Sequence, residues 1–366
     1  MKKQLFILIM AIIAISFSTA YGQVTCPAPR AIDPTCLTSD ALHPSPGNPY
    51  NYTVAVPSPP GAKEYTWFVT QDQNFIAGGA LTLNRQIAGG TFLAATGTGY
   101  NDPATGLATV SITWKSFVYD PLNPVFVIIS VKNVVGCVPN NLKVYKIMPV
   151  NAFTLDIANV GANKTTVSPY ETNIDRCLSK VISSTYDPAT DKVKMDFGAD
   201  TLYYVVTAAN FSTSWKPSLK VTAIDVLETI TSVQWFRPTD AAFGTPEAMP
   251  LFGSEYIATN PVLALDPSGS VGSAGECIVI RVIIDHTNGL NMYEGLTDET
   301  VTVAVDGKTQ LALATPLGDV HFSKTVGIAA DCGLEDGYRN DIATQVLKAR
   351  PAINAVTPTP FLTTEP

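Results

Sequence analysis

The chain has 366 residues, of which 46% are hydrophobic and 15% charged, and its formal net charge is −8. This composition, rich in Thr, Val, Pro and Gly, excludes a disordered chain and points to β structure in two or three domains. The acidic balance and the lack of a basic patch exclude nucleic acid and an anionic membrane surface as partners.

Lys2 and Lys3 precede the apolar run "LFILIMAIIAI", and small residues Ala20 and Gly22 stand before Gln23. That three-part pattern predicts a signal peptide over 1–22, cleaved before Gln23. The apolar run is shorter than the roughly 20 residues that span a bilayer, and no later stretch is long enough, so no membrane span is expected. Export places Cys26, Cys36, Cys137, Cys177, Cys277 and Cys332 in an oxidising compartment, where an even count predicts disulfides. Zinc needs closer cysteine pairs than this chain has. Three cysteines lie in each half, so either one bridge crosses the halves or two thiols stay free. Cys137 is expected to pair with Cys26 or Cys36.

Residues 23–44 read as an extended segment, and 45–149 as a first β-sandwich. In "PPGAKEYTWFVTQ" a proline-glycine turn leads into a strand with Tyr65, Trp67 and Val69 on one face. Trp67 is therefore expected in the core between two sheets. "ATVSITWKSF" puts Val110, Ile112 and Trp114 on one face, and the nearly all-apolar "PVFVIISVKN" reads as a central strand covered on both sides. The Gly/Ala/Thr-rich stretch 71–108 has no evident role.

The run "YTV…PPGAKEYTWFV…GTGY…ATVSITW…VFVIISVKNVVGC" resembles the PKD-like, immunoglobulin-like modules of secreted bacterial surface proteins over roughly residues 50–148. The resemblance implies an immunoglobulin-like sandwich, in modules that serve as spacers, adhesive units or assembly units.

Residues 150–306 read as a second immunoglobulin-like sandwich with extra N-terminal strands. Val233 and Trp235 share a face, as do Ile278, Ile280, Val282 and Ile284, and Val301, Val303 and Val305 alternate with smaller or polar residues. The Asp306-Gly307 dipeptide signals a tight turn into "KTQLALA". Residues 307–366 then form a C-terminal β segment and an extended, proline-rich tail.

Chemistry is sparse. His43, His286 and His321 are isolated in sequence, and His286, ahead of a "TNG" turn, reads as a surface histidine. "DPSGSVGSAGE" lacks the lysine of a phosphate loop. Asp331, Glu335, Asp336 and Asp341 offer oxygen ligands for calcium, but EF-hand spacing fails and a solvated turn is the competing reading. No pair of carboxylates is singled out for glycoside hydrolysis. Sequons stand at Asn51, Asn163 and Asn210, with little use expected in a bacterium, and "DTL" at Asp200–Leu202 matches a short O-glycosylation pattern.

The expected protein is all-β, secreted, non-enzymatic and without cofactors: a structural or adhesive subunit of a bacterial surface or matrix. Its expected partners are itself, in a homopolymer, other surface proteins, or glycans. Assembly by strand addition would use Ile353, Ala355 and Phe361 in the tail as anchors, with a frayed terminus as the competing reading. The alternatives are a carbohydrate-binding protein, with Tyr100, Tyr119, Phe236 and Tyr293 as an exposed aromatic row, and a secreted glycoside hydrolase.

Overall fold

The computed structural model describes residues 24–353 except 31–38, 58–60, 83, 95–99, 101, 118, 136–139, 190, 212–213, 223, 241–242, 264–274, 289–290, 313–314, 321–334 and 336. Among the described residues all regular structure is strand, arranged as two β-sandwiches in tandem. The signal peptide, Cys36, Cys137, Cys332, Asp331, Asp336, Ala355 and Phe361 lie outside the described residues.

The longer strands of the first module are β1 (Pro49–Thr53), β2 (Lys63–Thr70), β3 (Thr109–Thr113), β4 (Val125–Asn133) and β5 (Asn140–Ile147). β1 and β3 pair antiparallel, and β4 lies between β2 and β5 in a second sheet. Alternation drives the packing. Tyr52, Val110 and Ile112 face Trp67, Val69, Val127, Ile129 and Ile147 in one core. Trp67 is fully buried, and its indole N–H donates to the Leu107 carbonyl at 2.8 Å. β4 is covered on both faces, since Val127, Ile128 and Ile129 are all buried.

The stretch after β2 has a role that its composition hid. It folds back over the outer face of β2, where the Gln86 N–H donates to the Val69 carbonyl and the Thr70 hydroxyl to the Asn84 carbonyl. The Arg85 guanidinium lies over the ring of buried Phe68. Both faces of the C-terminal half of β2, Trp67 to Thr70, are thereby shielded from water.

The longer strands of the second module are β6 (Thr154–Val160), β7 (Ile174–Cys177), β8 (Ser183–Asp187), β9 (Lys192–Asp196), β10 (Ala199–Ala209), β11 (Ser214–Thr222), β12 (Thr229–Phe236), β13 (Glu276–Asp285), β14 (Glu299–Thr309) and β15 (Ile342–Lys348). One sheet runs β12-β13-β10-β6 and the facing sheet β7-β15-β14-β11, while β8 and β9 form a separate hairpin. Between the sheets lie Trp235, Val233, the four apolar residues on one face of β13, and Val301, Val303 and Val305.

Two expectations fail here. Asp306 and Gly307 make no turn: β14 runs through both, and Gly307 pairs with Pro217 of β11. A Cβ on Gly307 would stand 2.6 Å from Leu155 Cδ1, so the glycine admits a side chain of the facing sheet. The C-terminal piece expected from residue 307 is also not separate, because β15 is inserted between β14 and β7 of the same sheet.

The outer face of the β10–β13 sheet carries a second apolar layer, in which Val24 packs with Val205, Phe236, Cys277 and Val279. Residues 24–30 cover this face. Cys26 is bridged to Cys277, 251 residues away. Arg30 donates its N–H to Asp156 at 3.0 Å and pairs with Glu171, and the Tyr170 hydroxyl donates to the Ala28 carbonyl at 2.9 Å. The pairing of Cys137 with Cys26 is thus overturned: Cys26 reaches past the whole first module.

Candidate functional site

Two places in the fold stand out. The first is a groove in the first module. β5 is the last strand of its sheet and β1 belongs to a two-stranded sheet, so among the described residues both keep an unpaired edge. An unpaired edge exposes backbone N–H and C=O groups that can add a strand. Near these edges the sandwich opens into a groove of about 440 Å³ whose lining includes Val54, Val56, Lys63, Ile129, Val131 and Lys143. Its lining combines these apolar side chains with Lys132 and with Asn133, Asn140 and Asn141. β5 is largely exposed, with only Ile147 fully buried.

The second place is a buried ionisable cluster at one end of the second module. His286 follows β13, Asp200 lies near the start of β10, Glu228 precedes β12 and Glu299 opens β14. His286 is fully buried rather than on the surface. Its Nε2 lies 2.7 Å from Asp200 Oδ2, and its Nδ1 is hydrogen-bonded to Glu228 Oε1. The Tyr293 ring packs beside the imidazole at 5.9 Å. The Asp225 N–H is accepted by both Glu299 Oε1 at 2.9 Å and Glu228 Oε2 at 3.2 Å, which brings the two carboxyls together.

Burial opposes charge on His286, but the two carboxylates outweigh it and lift its pKa to about 9. Burial also raises Glu299, to about 8, and the adjacent Glu228 carboxylate adds to the rise. At neutral pH the cluster therefore favours a charged His286 imidazole and a protonated Glu299 carboxyl.

Among the described residues no group of His, Cys, Asp and Glu has the arrangement of a metal site. Of the calcium candidates, Glu335 accepts the Gly318 N–H at 2.9 Å and Asp341 is buried ahead of β15. The aromatic row does not form as expected, because Tyr100, Phe236 and Tyr293 are buried, while Tyr119 is half-buried with Lys146 over its ring. Tyr100 instead donates structure inward: its hydroxyl accepts the Val69 N–H at 2.8 Å. Thr201 of the "DTL" pattern lies within β10, and the Asp200 carboxylate is committed to His286 and to the Ser179 N–H. Cys177 is exposed on β7 with a free thiol, and Ile353 is exposed.

Sequence reasoning missed the cluster because its members are far apart in the chain: His286 lies 58 residues from Glu228 and 86 from Asp200. The only local signal was an acidic residue at the end of each of several strands. No helix of the described residues is long and apolar enough to cross a membrane.

No protein-family model matches the chain, and no curated protein sequence matches it. Among solved structures, the chain is similar to a point mutant of CfaE, the CFA/I adhesin of enterotoxigenic E. coli, at 9% identity and a TM-score of 0.30, covering 79% of this chain and 73% of that one. It is similar to the major pilin SpaD of Corynebacterium diphtheriae at 10% identity and a TM-score of 0.21, covering 70% of this chain and 58% of that one. For BcpA, the major pilin subunit of Bacillus cereus, the values are 9% and 0.25, with 78% and 80% covered.

Proposed function

We propose that the chain is an exported, non-enzymatic structural or adhesive subunit of a bacterial surface or matrix, and that copies join by strand addition. The observation that carries this reading is the groove of the first module, which lies beside unpaired strand edges and is lined in part by Val54, Val56, Ile129 and Val131. The proposed occupant is the tail of a second copy, beginning at Ile353. A docked strand would gain backbone hydrogen bonds along β5 and place alternate side chains in the groove. The tail "AINAVTPTPFLTTEP" carries one acid and no base, while Lys63 and Lys143 line the groove, so the charges are complementary. Ile353 and Ala355 would enter it first. Pro358 and Pro360 lack an N–H, so pairing would end near Thr357. Docking of one copy's tail on the next repeats head to tail and yields a filament. The sealed state of His286 supports a non-enzymatic reading, since both ring nitrogens are committed inside the fold.

The test compares the secreted chain with a variant lacking 351–366 and with Asn141→Trp, which fills the groove mouth, by sedimentation and electron microscopy. Polymers from the parent and monomers from both variants are expected. A parent that stays monomeric at high concentration, or variants that polymerise as well as the parent, overturn the reading.

A further inference from the structure

Arg350 ties the end of the described chain to the module. Its Nε donates to the Ser179 carbonyl at 2.9 Å, its Nη1 to the Glu294 carbonyl at 2.6 Å, and its backbone N–H to the Gly295 carbonyl at 2.7 Å. Its guanidinium lies over the Phe197 ring at 4.8 Å. Gly295 has a φ of +64°, which favours glycine, and a Cβ there would stand 2.4 Å from Leu178 Cδ1 and 2.9 Å from Arg350 Nη1. Tyr293, two residues earlier, is held by the cluster: its N–H donates to the His286 carbonyl at 2.9 Å and its ring packs on the imidazole. The Ser179 N–H donates to Asp200 Oδ2 at 2.9 Å, so the second anchor of Arg350 is also fixed by the cluster.

We propose that Asp200, Glu228, His286 and Glu299 form a proton-dependent latch that holds Tyr293–Gly295 in place and thereby anchors Arg350, the point where the chain leaves the second module. The proposal stands whether or not the tail docks on a neighbour.

The charges facing the cluster come from every element around it. Asp200 belongs to β10, Asp225 and Glu228 to the turn before β12, Glu299 to β14, and Arg350 follows β15; Tyr293 and Glu294 stand in the connection before β14. Against the acids of the cluster and its rim stand the Arg350 guanidinium and the His286 imidazole, with Arg176 donating to the neighbouring Thr201 carbonyl at 3.0 Å. Removing the Glu299 proton places a second buried negative charge beside Glu228. Removing the His286 proton leaves Asp200 and Glu228 without their cation. Either loss costs free energy that local opening relieves.

Both shifts act in the same sense. The raised His286 pKa stabilises the fold fully below its ordinary value of 6.5, and that stability is lost as pH rises through about 9. Folded Glu299 keeps a proton that the unfolded chain sheds above 4.5, so its contribution is lost as pH rises through about 8. The latch is closed at neutral pH and opens on the alkaline side.

The test uses the full chain. The His286 ring resonances, assigned through His286→Gln, are followed by NMR against pH. In parallel, chymotryptic cleavage after Tyr293 is measured against an unfolded peptide of the same sequence. A doubly protonated ring at neutral pH is expected, with relative cleavage rising roughly tenfold or more across the alkaline transition. Glu299→Gln, whose amide can still donate to Glu228, removes one of the two titrations and should move the cleavage midpoint to higher pH. It serves also if His286→Gln fails to fold. A neutral imidazole at pH 7, cleavage that does not change with pH, or an unmoved midpoint in Glu299→Gln each overturns the latch.

Discussion

Trp67 and Trp235 fill the centres of their two cores, yet their indole nitrogens differ. Trp67 donates to the Leu107 carbonyl, whereas the buried Trp235 Nε1 has no acceptor among the described residues. Truncating either to alanine should cost about 3–5 kcal/mol, from lost burial and the cavity left behind. Phenylalanine separates them. Trp67→Phe loses a hydrogen bond as well as volume and is expected to cost more, by about 1 kcal/mol, than Trp235→Phe, which removes an unpaired polar group. Urea denaturation of the four variants measures both differences. Both tryptophans were legible in the sequence because period-two alternation is a local signal. His286 was not: its two carboxylate partners come from distant segments, and the residues beside it suggest a turn, which favours a surface side chain.

At the scale of elements, the strands that read most clearly are those with one apolar face, such as β13, or those apolar throughout, such as the central β4. Asp306-Gly307 misled because the dipeptide that favours a tight turn also serves where another backbone or side chain comes close. β14 is continuous there, and Leu155 of β6 occupies the space above the glycine. Gly307→Ala should cost about 1 kcal/mol or less, because the Leu155 side chain can give way. Gly307→Val should cost about 2–3 kcal/mol, since its two γ-methyls add bulk where a Cβ already stands 3.2 Å from the Lys216 carbonyl oxygen. Thermal unfolding of the pair checks the graded response; equal costs would mean that the close approach is not what the glycine provides. β15 escaped recognition as part of the second sandwich because its partner strand β14 ends more than thirty residues earlier, beyond any local pattern.

For the whole molecule, the controlling feature is the bridge between Cys26 and Cys277. Closing so long a loop removes enough freedom from the unfolded chain to stabilise the fold by about 5 kcal/mol in the chain-entropy account. Replacing both cysteines with serine should therefore lower the unfolding transition of the second module and leave that of the first unchanged, because the bridge touches only the second module's outer face. Denaturation followed by tryptophan fluorescence separates the two, given Trp67 and Trp114 in one core and Trp215 and Trp235 in the other. The same bridge also sets a route for mechanical load. A pull applied at Val24 passes through two sulfur atoms into β13, and the polypeptide from residue 27 to residue 276 lies outside that covalent path. The first module, carried entirely within that span, would bear none of a load applied between Val24 and β13.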